Sequence, residues 1–384
     1  MTYIQSTFDL LSCAIFDTEV SIETKNLIKD SVNLKNILYL SKKHDVAHLI
    51  AYALLKNNYV KDKKLKEKLL KEINIATFRY QNSQEELENI TKILSLGGIE
   101  FIPLKGAVIR NFYREPWMRT SCDLDVLIKE KDKDKSVELL VEKLSYKAEK
   151  PSFNEISLYS PSLVHLELHF SLQERAKPAK ALENIFNKVI VEEGYLKKLT
   201  PETLLFYHVY HASKHLESGG MGIKPIMDLA VILTQISWEE EKLNALLSEE
   251  GYLVFFNEIL RLSKIWFGKE KHTDLTVRLE EFILNGGVYG TLENRVLVQQ
   301  SKQGGKKEYL KKRIFISNEE LKEKYPVLKN KTWLIPFYHI KRWFKPLFNK
   351  ESRDSSFAEL YKSNKIDNVK LNKASKLLED LGLK

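Results

Sequence analysis

The stretch from Ile99 to Lys129, IEFIPLKGAVIRNFYREPWMRTSCDLDVLIK, decides how this chain is read. It divides into an apolar strand from Glu100 to Leu104, a tight Lys105-Gly106 turn, a short helix, a loop, and a second strand, DLDVLI, starting at Asp123. Successive side chains on a strand point to opposite faces, so Asp123 and Asp125 point the same way. Two carboxylates beside a glycine turn suit a divalent cation and a phosphate. Taken alone, the same Asp-x-Asp also suits a solvated strand end.

Working outward, HLELHF at 165–170 alternates strictly. Leu166, Leu168 and Phe170 share one face, and His165, Glu167 and His169 share the other. Glu167 is therefore the candidate third carboxylate. Magnesium takes oxygen ligands and keeps several waters, so one or two carboxylates plus substrate phosphates hold it. Two such ions about 3.5–4 Å apart can clamp the attacking and leaving oxygens of a phosphoryl displacement. Gly106 would let the backbone approach a phosphate, and the helix that follows would offer free amides. Lys105 either points at the phosphates or only flanks the turn. Among Arg110, Arg114 and Arg119, guanidiniums able to grip phosphate bidentately, Arg119 is the candidate, being four residues before Asp123. Arg110 and Arg114 share a helix face and read as surface residues.

The rest of the chain frames this centre. Residues 1–98 read as an N-terminal helical domain, with His44 and His48 one turn apart as a satisfied or surface pair. Residues 99–195 read as an α/β core and 196–300 as a C-terminal helical domain. In the latter, His208, His211 and His215 lie on roughly one face of a helix. They suit zinc poorly, since the first and last are two turns apart. His211 and Lys214 line a nucleotide pocket in one reading, and the helix packs its polar groups on the sheet edge in another. Residues 301–384 are a basic aromatic tail region. Trp333, Phe337, Tyr338, Trp343 and Phe344 interleave with Lys329, Lys331, Lys341 and Arg342, a pattern suited to an anionic surface through residues 325–350. Packing of those aromatics on the core is the alternative. Residues 350–367 read as a flexible linker.

Composition sets the outer limits. In 384 residues, 43% are hydrophobic and 29% charged, which fits a globular protein with room for more than one domain. The net charge of +9 favours anionic partners without choosing among them. Two cysteines, Cys13 and Cys122, exclude a disulfide scaffold and fit a reducing compartment. The first twenty residues lack a basic region and contain Asp9 and Asp17, so no signal peptide is expected. No uncharged apolar run approaches the roughly 18 residues of a membrane span. A cytoplasmic protein is expected.

Five segments together carry a family resemblance: LKGAVIRNFY at 104–113, MRTSCDLDVLI at 118–128, HLELHF at 165–170, YHVYHASKHLE at 207–217 and PIMDLA at 225–230. In this order they resemble the bacterial uncharacterised nucleotidyltransferase family, which is similar to the DNA polymerase β-like nucleotidyltransferases. The resemblance implies an α+β fold, a small mixed β-sheet nucleotidyltransferase core flanked by N-terminal and C-terminal helical regions. It implies Mg²⁺-dependent transfer of a nucleoside monophosphate from an NTP to an acceptor hydroxyl on a protein, RNA or small molecule. It points to Gly106 in the phosphate turn and to Asp123, Asp125 and Glu167 as metal carboxylates of a two-ion site. One departure stands out: the wider superfamily has Gly-Ser in the turn, and this chain has Lys105-Gly106-Ala107. The competing expectation is a non-catalytic nucleotide- or nucleic-acid-binding or regulatory protein on the same scaffold.

Overall fold

The structure is a computed structural model, and it describes residues 1–173, 178–288 and 290–384. It is an α+β protein built on one seven-stranded mixed sheet. The strands are β1 (Phe101–Leu104), β2 (Asp123–Ile128), β3 (Lys147–Ala148), β4 (Glu155–Tyr159), β5 (His165–His169), β6 (Val189–Glu193) and β7 (Leu196–Leu199). Their order across the sheet is β3-β4-β5-β2-β1-β7-β6. The central strand β2 is antiparallel to β1 and parallel to β5.

One face of the sheet carries the core. Phe101, Leu124, Val126, Ile128, Ile156, Leu158, Leu166 and Leu168 are buried there against Ile90 and Leu94 of the helix Lys63–Leu96 and Leu140 of the helix Lys133–Leu144. Each such side chain taken out of water contributes about 1.5–3 kcal/mol. The long helix starts where the Asp62 carboxylate accepts from the Leu65 amide, a standard N-cap. It ends at Gly97-Gly98, where Gly98 adopts φ +66°.

Two details of β1 follow from its sequence. Pro103 lies within the central part of the sheet, a position where a missing N–H usually breaks pairing. The Phe101 amide donates to Tyr195 O on the β7 side, so the Pro103 nitrogen two residues on faces that side too. The β1–β7 ladder stops at Phe101↔Leu196, and the missing donor meets no ladder partner. The short helix after the turn is tighter than its sequence suggests: Gly106–Ile109 is α-helical and Arg110–Phe112 is 3-10.

The β6–β7 hairpin is an addition to the sequence reading. Its signal was present as Val189-Ile190-Val191 before a turn at Gly194, which takes φ +53°.

The chain divides into two compact units. The first comprises Met1–His211 and Ile223–His272, and the second Ala212–Gly222 and Thr273–Lys384. In the second unit Val296, Leu297, Tyr309, Ile366 and Ala374 form a small core. Here the linker expectation fails: Lys350–Lys365 is a helix. Residues 351–365 contain no glycine or proline. Ser363 is buried and accepts from Gln300 Nε2 at 2.8 Å, and Glu359 accepts from the Tyr309 hydroxyl. A segment rich in Ser and charge reads as solvated until such partners are known.

Candidate active site

The parallel pairing of β2 with β5 builds the site. Its register sets Asp123 opposite His165, Asp125 opposite Glu167, and Leu127 opposite His169. Directly paired residues share a face. The face opposite the core therefore carries both aspartates, Glu167 and two histidines.

Asp125, 2% exposed, is the hub. Its Oδ1 accepts from Lys105 Nζ at 2.5 Å and lies 2.9 Å from His169 Nε2. Glu167 Oε2 lies 3.6 Å from Lys105 Nζ and 3.5 Å from His169 Nε2. Asp125, Glu167 and His169 each offer one ligand atom, all within 4.8 Å of one another. Asp123 stands one same-face position before Asp125, outside that set. The His169 Nδ1 side faces Glu155 Oε2 at 3.2 Å, off hydrogen-bond geometry. Sequence reasoning placed His169 on the polar face but gave it no role. The signal was its position two residues after Glu167.

Charge crowding marks these groups. Burial pushes the Asp123 carboxyl up, and the Asp125 and Glu167 charges push it further. Burial opposes ionisation of Asp125 too, but Lys105 and His169 outweigh it and hold that carboxyl well below the usual carboxylate range. Burial would lower Lys105, yet Tyr207, Asp125 and Glu167 together raise it well above an ordinary lysine. His169 is likewise raised against its burial by Asp125 and Glu167. Tyr207, from the helix Pro201–Glu217, is another site neighbour that sequence reasoning missed. It sits one turn before His211, on the same helix face.

The turn works differently from its sequence appearance. The residue at positive φ is Lys105, with φ 46° and ψ −124°. A non-glycine residue in so sparse a region costs about 1–3 kcal/mol. Gly106 is needed for space: a Cβ there would stand 2.8 Å from Ser121 Cβ and 2.9 Å from its Oγ.

The arginines are distributed otherwise than their spacing suggests. Arg110 is 1% exposed, which overturns its reading as a surface residue. Its side chain lies inward, where Nε donates to Gly106 O, Nη1 to Ser83 Oγ and Nη2 to Ser121 Oγ. These partners are neutral, and burial, helped by Arg119, lowers it to about 10. Arg114 is exposed and meets Asp17 and Tyr52. Arg119 grips Asp228 bidentately, Nε to Oδ1 at 2.7 Å and Nη2 to Oδ2 at 2.8 Å. Asp228, 1% exposed, also accepts from the Tyr113 hydroxyl. Arg119 thus fastens the loop before β2 to the helix Lys224–Gln235. Lys224 adds a second tie, pairing with Asp45 and donating to Thr120 O and Oγ1. His48 is buried and its Nε2 lies 2.8 Å from Met118 O.

His208 is buried with Nε2 2.8 Å from Pro225 O, a packing role. His211 is half-buried, its ring 6.1 Å from that of Tyr207. Lys214 is exposed. The division between the two units falls between His211 and Lys214.

A family model described as uncharacterised nucleotidyltransferase matches residues 30–268. Two solved structures of the antibiotic-resistance factor ANT(2″)-Ia share the chain's shape weakly. One is a solution structure described as revealing substrate-regulated conformation dynamics, at 13% identity over 44% of this chain and 91% of that one, with a TM-score of 0.34. The other is a crystal structure in complex with adenylyl-2″-tobramycin, at 12% identity over 44% of this chain and 97% of that one, again with a TM-score of 0.34. Likeness at that level carries no argument about this chain. No curated protein matches it.

Proposed function

The chain belongs to the uncharacterised nucleotidyltransferase family, and from that premise we propose that it transfers a nucleoside monophosphate from an NTP to an acceptor hydroxyl with Mg²⁺, breaking the α–β phosphoanhydride bond and releasing pyrophosphate. The observation that carries the reading is the grouping of Asp125, Glu167 and His169 within 4.8 Å, with Asp123 beside them. Three carboxylates are crowded on one sheet face, and burial first, then the Asp125 and Glu167 charges, push the Asp123 carboxyl up. A donor set of this kind fits a hard divalent cation held by oxygen, with one imidazole at its edge.

Asp123, Asp125 and Glu167 are the residues that would hold the metal, with His169 steadying Asp125 or joining the set. When bound, divalent metal supplies charge neutralisation on the triphosphate oxygens. Lys105 leaves Asp125 and turns its ammonium to the β- and γ-phosphates, a move open to a flexible four-carbon stem. Glu167, less buried than Asp125, takes the proton of the acceptor hydroxyl as general base. Tyr207 and His211 flank the nucleotide from the helix that carries them. Arg119 keeps the β2 loop in place through Asp228 and adds positive potential near Asp123.

The test incubates the protein with each α-labelled NTP, Mg²⁺ or Mn²⁺, and cell extract. Label on a protein, RNA or small molecule, absent with Asp123→Ala and with Asp125→Asn, is the expected result, and its carrier names the acceptor class. No label with any NTP, together with no NTP-dependent thermal shift, would overturn the proposal.

A further inference from the structure

The chain's positive charge is not spread evenly. Residues 305–350 contain 13 Lys and Arg against four Glu, so the whole net charge of +9 resides in this segment and the remainder is neutral. The same segment holds the helix Ile335–Phe348 and the turn Thr332–Leu334 that leads into it.

The two sides of this helix are unlike. Leu334, Ile335, Tyr338, His339 and Arg342 are half-buried. They face neighbouring segments of the second unit: Arg342 Nη1 donates to Arg313 O, and Tyr338 lies ring to ring with Tyr325 at 4.7 Å. On the other side Trp333, Phe337, Ile340 and Phe344 are 76%, 59%, 48% and 51% exposed. Their spacing of four, three and four aligns them in a single stripe along the helix. Lys341 borders the stripe, with its ammonium 5.2 Å from the Tyr338 ring. Four large apolar side chains in one exposed row exceed the scattered surface hydrophobics normal for a globular protein.

We propose that this face lies in the headgroup region of an anionic lipid bilayer. The charge complementarity is regional, since the row is embedded in a strongly basic part of the chain. An interfacial helix of this type sinks its apolar stripe to the headgroup–acyl boundary while flanking lysines and arginines meet lipid phosphates. The stripe itself favours lipid over nucleic acid. Ile340 has no ring to stack on a base, and the row's one hydrogen-bonding side-chain atom, Trp333 Nε1, is too little to read base edges. Among the described residues no helix is long and apolar enough to cross a membrane.

The experiment floats the full chain with vesicles of phosphatidylcholine alone and of phosphatidylcholine mixed with phosphatidylglycerol. Its partner is Phe337→Glu/Ile340→Glu, both at exposed positions, with folding checked by a circular-dichroism melt. Expected are binding to the mixed vesicles, weak or absent binding to the neutral ones, and loss at about 1 M salt, where screening reaches ~3 Å. The double variant should bind the mixed vesicles on the order of tenfold more weakly with an unchanged melt. Equal binding to both vesicles, or full binding by the double variant, overturns the proposal. So does a tighter complex with single-stranded RNA that the double variant loses, because the stripe would then be a nucleic-acid platform.

Discussion

On the proposed function, Lys105 and a divalent cation would compete for the same oxygens. With Nζ 2.5 Å from Asp125 and 3.6 Å from Glu167, the ammonium occupies the space between two proposed metal carboxylates. Lys105→Met should therefore bind Mn²⁺ more tightly than the parent, on the order of tenfold or about 1.4 kcal/mol, in calorimetry without nucleotide. It should at the same time lose NTP labelling, because the phosphates lose their cation. Equal Mn²⁺ affinity would show that Lys105 is not the competitor. The Arg119–Asp228 pair obeys a different logic. Breaking a buried pair strands a charge at a cost of about 3–5 kcal/mol, so Asp228→Asn should lower urea stability by that order. His48 gives a pH dependence. Burial lowers its pKa from 6.5 to about 4, so it stays neutral in the folded state while the unfolded chain takes up a proton. Its contribution is fully present above pH 6.5 and is lost as pH falls toward 4, up to about 3 kcal/mol. His48→Gln, which keeps an N–H for Met118 O, should lose less stability than the parent between pH 7 and pH 5 in urea titrations. Parallel losses would assign the pH sensitivity elsewhere.

At the scale of elements, the alternation in DLDVLI and HLELHF put the carboxylates on the polar faces of two strands, because period two is a local property. That these strands are neighbours, paired Asp125 to Glu167, is a property of topology that no short pattern contains. The α+β class was legible for the same reason, since a helical period gave way to alternation near residue 99 and returned near 200. The turn was less legible. Glycine suggested a phosphate cradle, whereas the structure puts positive φ on Lys105 and uses Gly106 to make room for Ser121. A close approach between residues 15 apart in sequence leaves no trace in either one alone. Arg110 and Arg114 do not share a face because the helix ends between them, at Tyr113 with φ −77° and ψ 153°. Gly106→Ala should accordingly push Ser121 aside and disturb its bond from Arg110, costing about 1–3 kcal/mol. A paired Gly106→Ala/Ser121→Gly chain should recover much of that in thermal melts. If the double variant is no more stable than Gly106→Ala, the space at Ser121 is not what the glycine provides.

For the whole molecule, the organisation is not a string of successive domains, and composition shifts cannot reveal this. Residues Ala212–Gly222 belong to the second unit although both flanking segments belong to the first, so the chain passes between units at three points. Within the second unit this insertion is closely packed: a Cβ on Gly290 would meet Gly219 O at 2.5 Å, and Lys302 pairs with Glu217 at 2.6 Å. Ala212, Leu216 and Met221 are buried. A chain ended at His272 would retain the family-matched residues 30–268 but would remove all of the second unit beyond that insertion. The insertion would lose its neighbours Gly290, Arg295 and Lys302, which lie against Gly219 and Glu217, and such a loss is felt against an ordinary domain's margin of about 5–15 kcal/mol. The truncated chain should therefore melt at a clearly lower temperature and aggregate at concentrations where the full chain is monodisperse by light scattering. A truncated chain that unfolds cooperatively at the parental temperature would show that the first unit folds without the second.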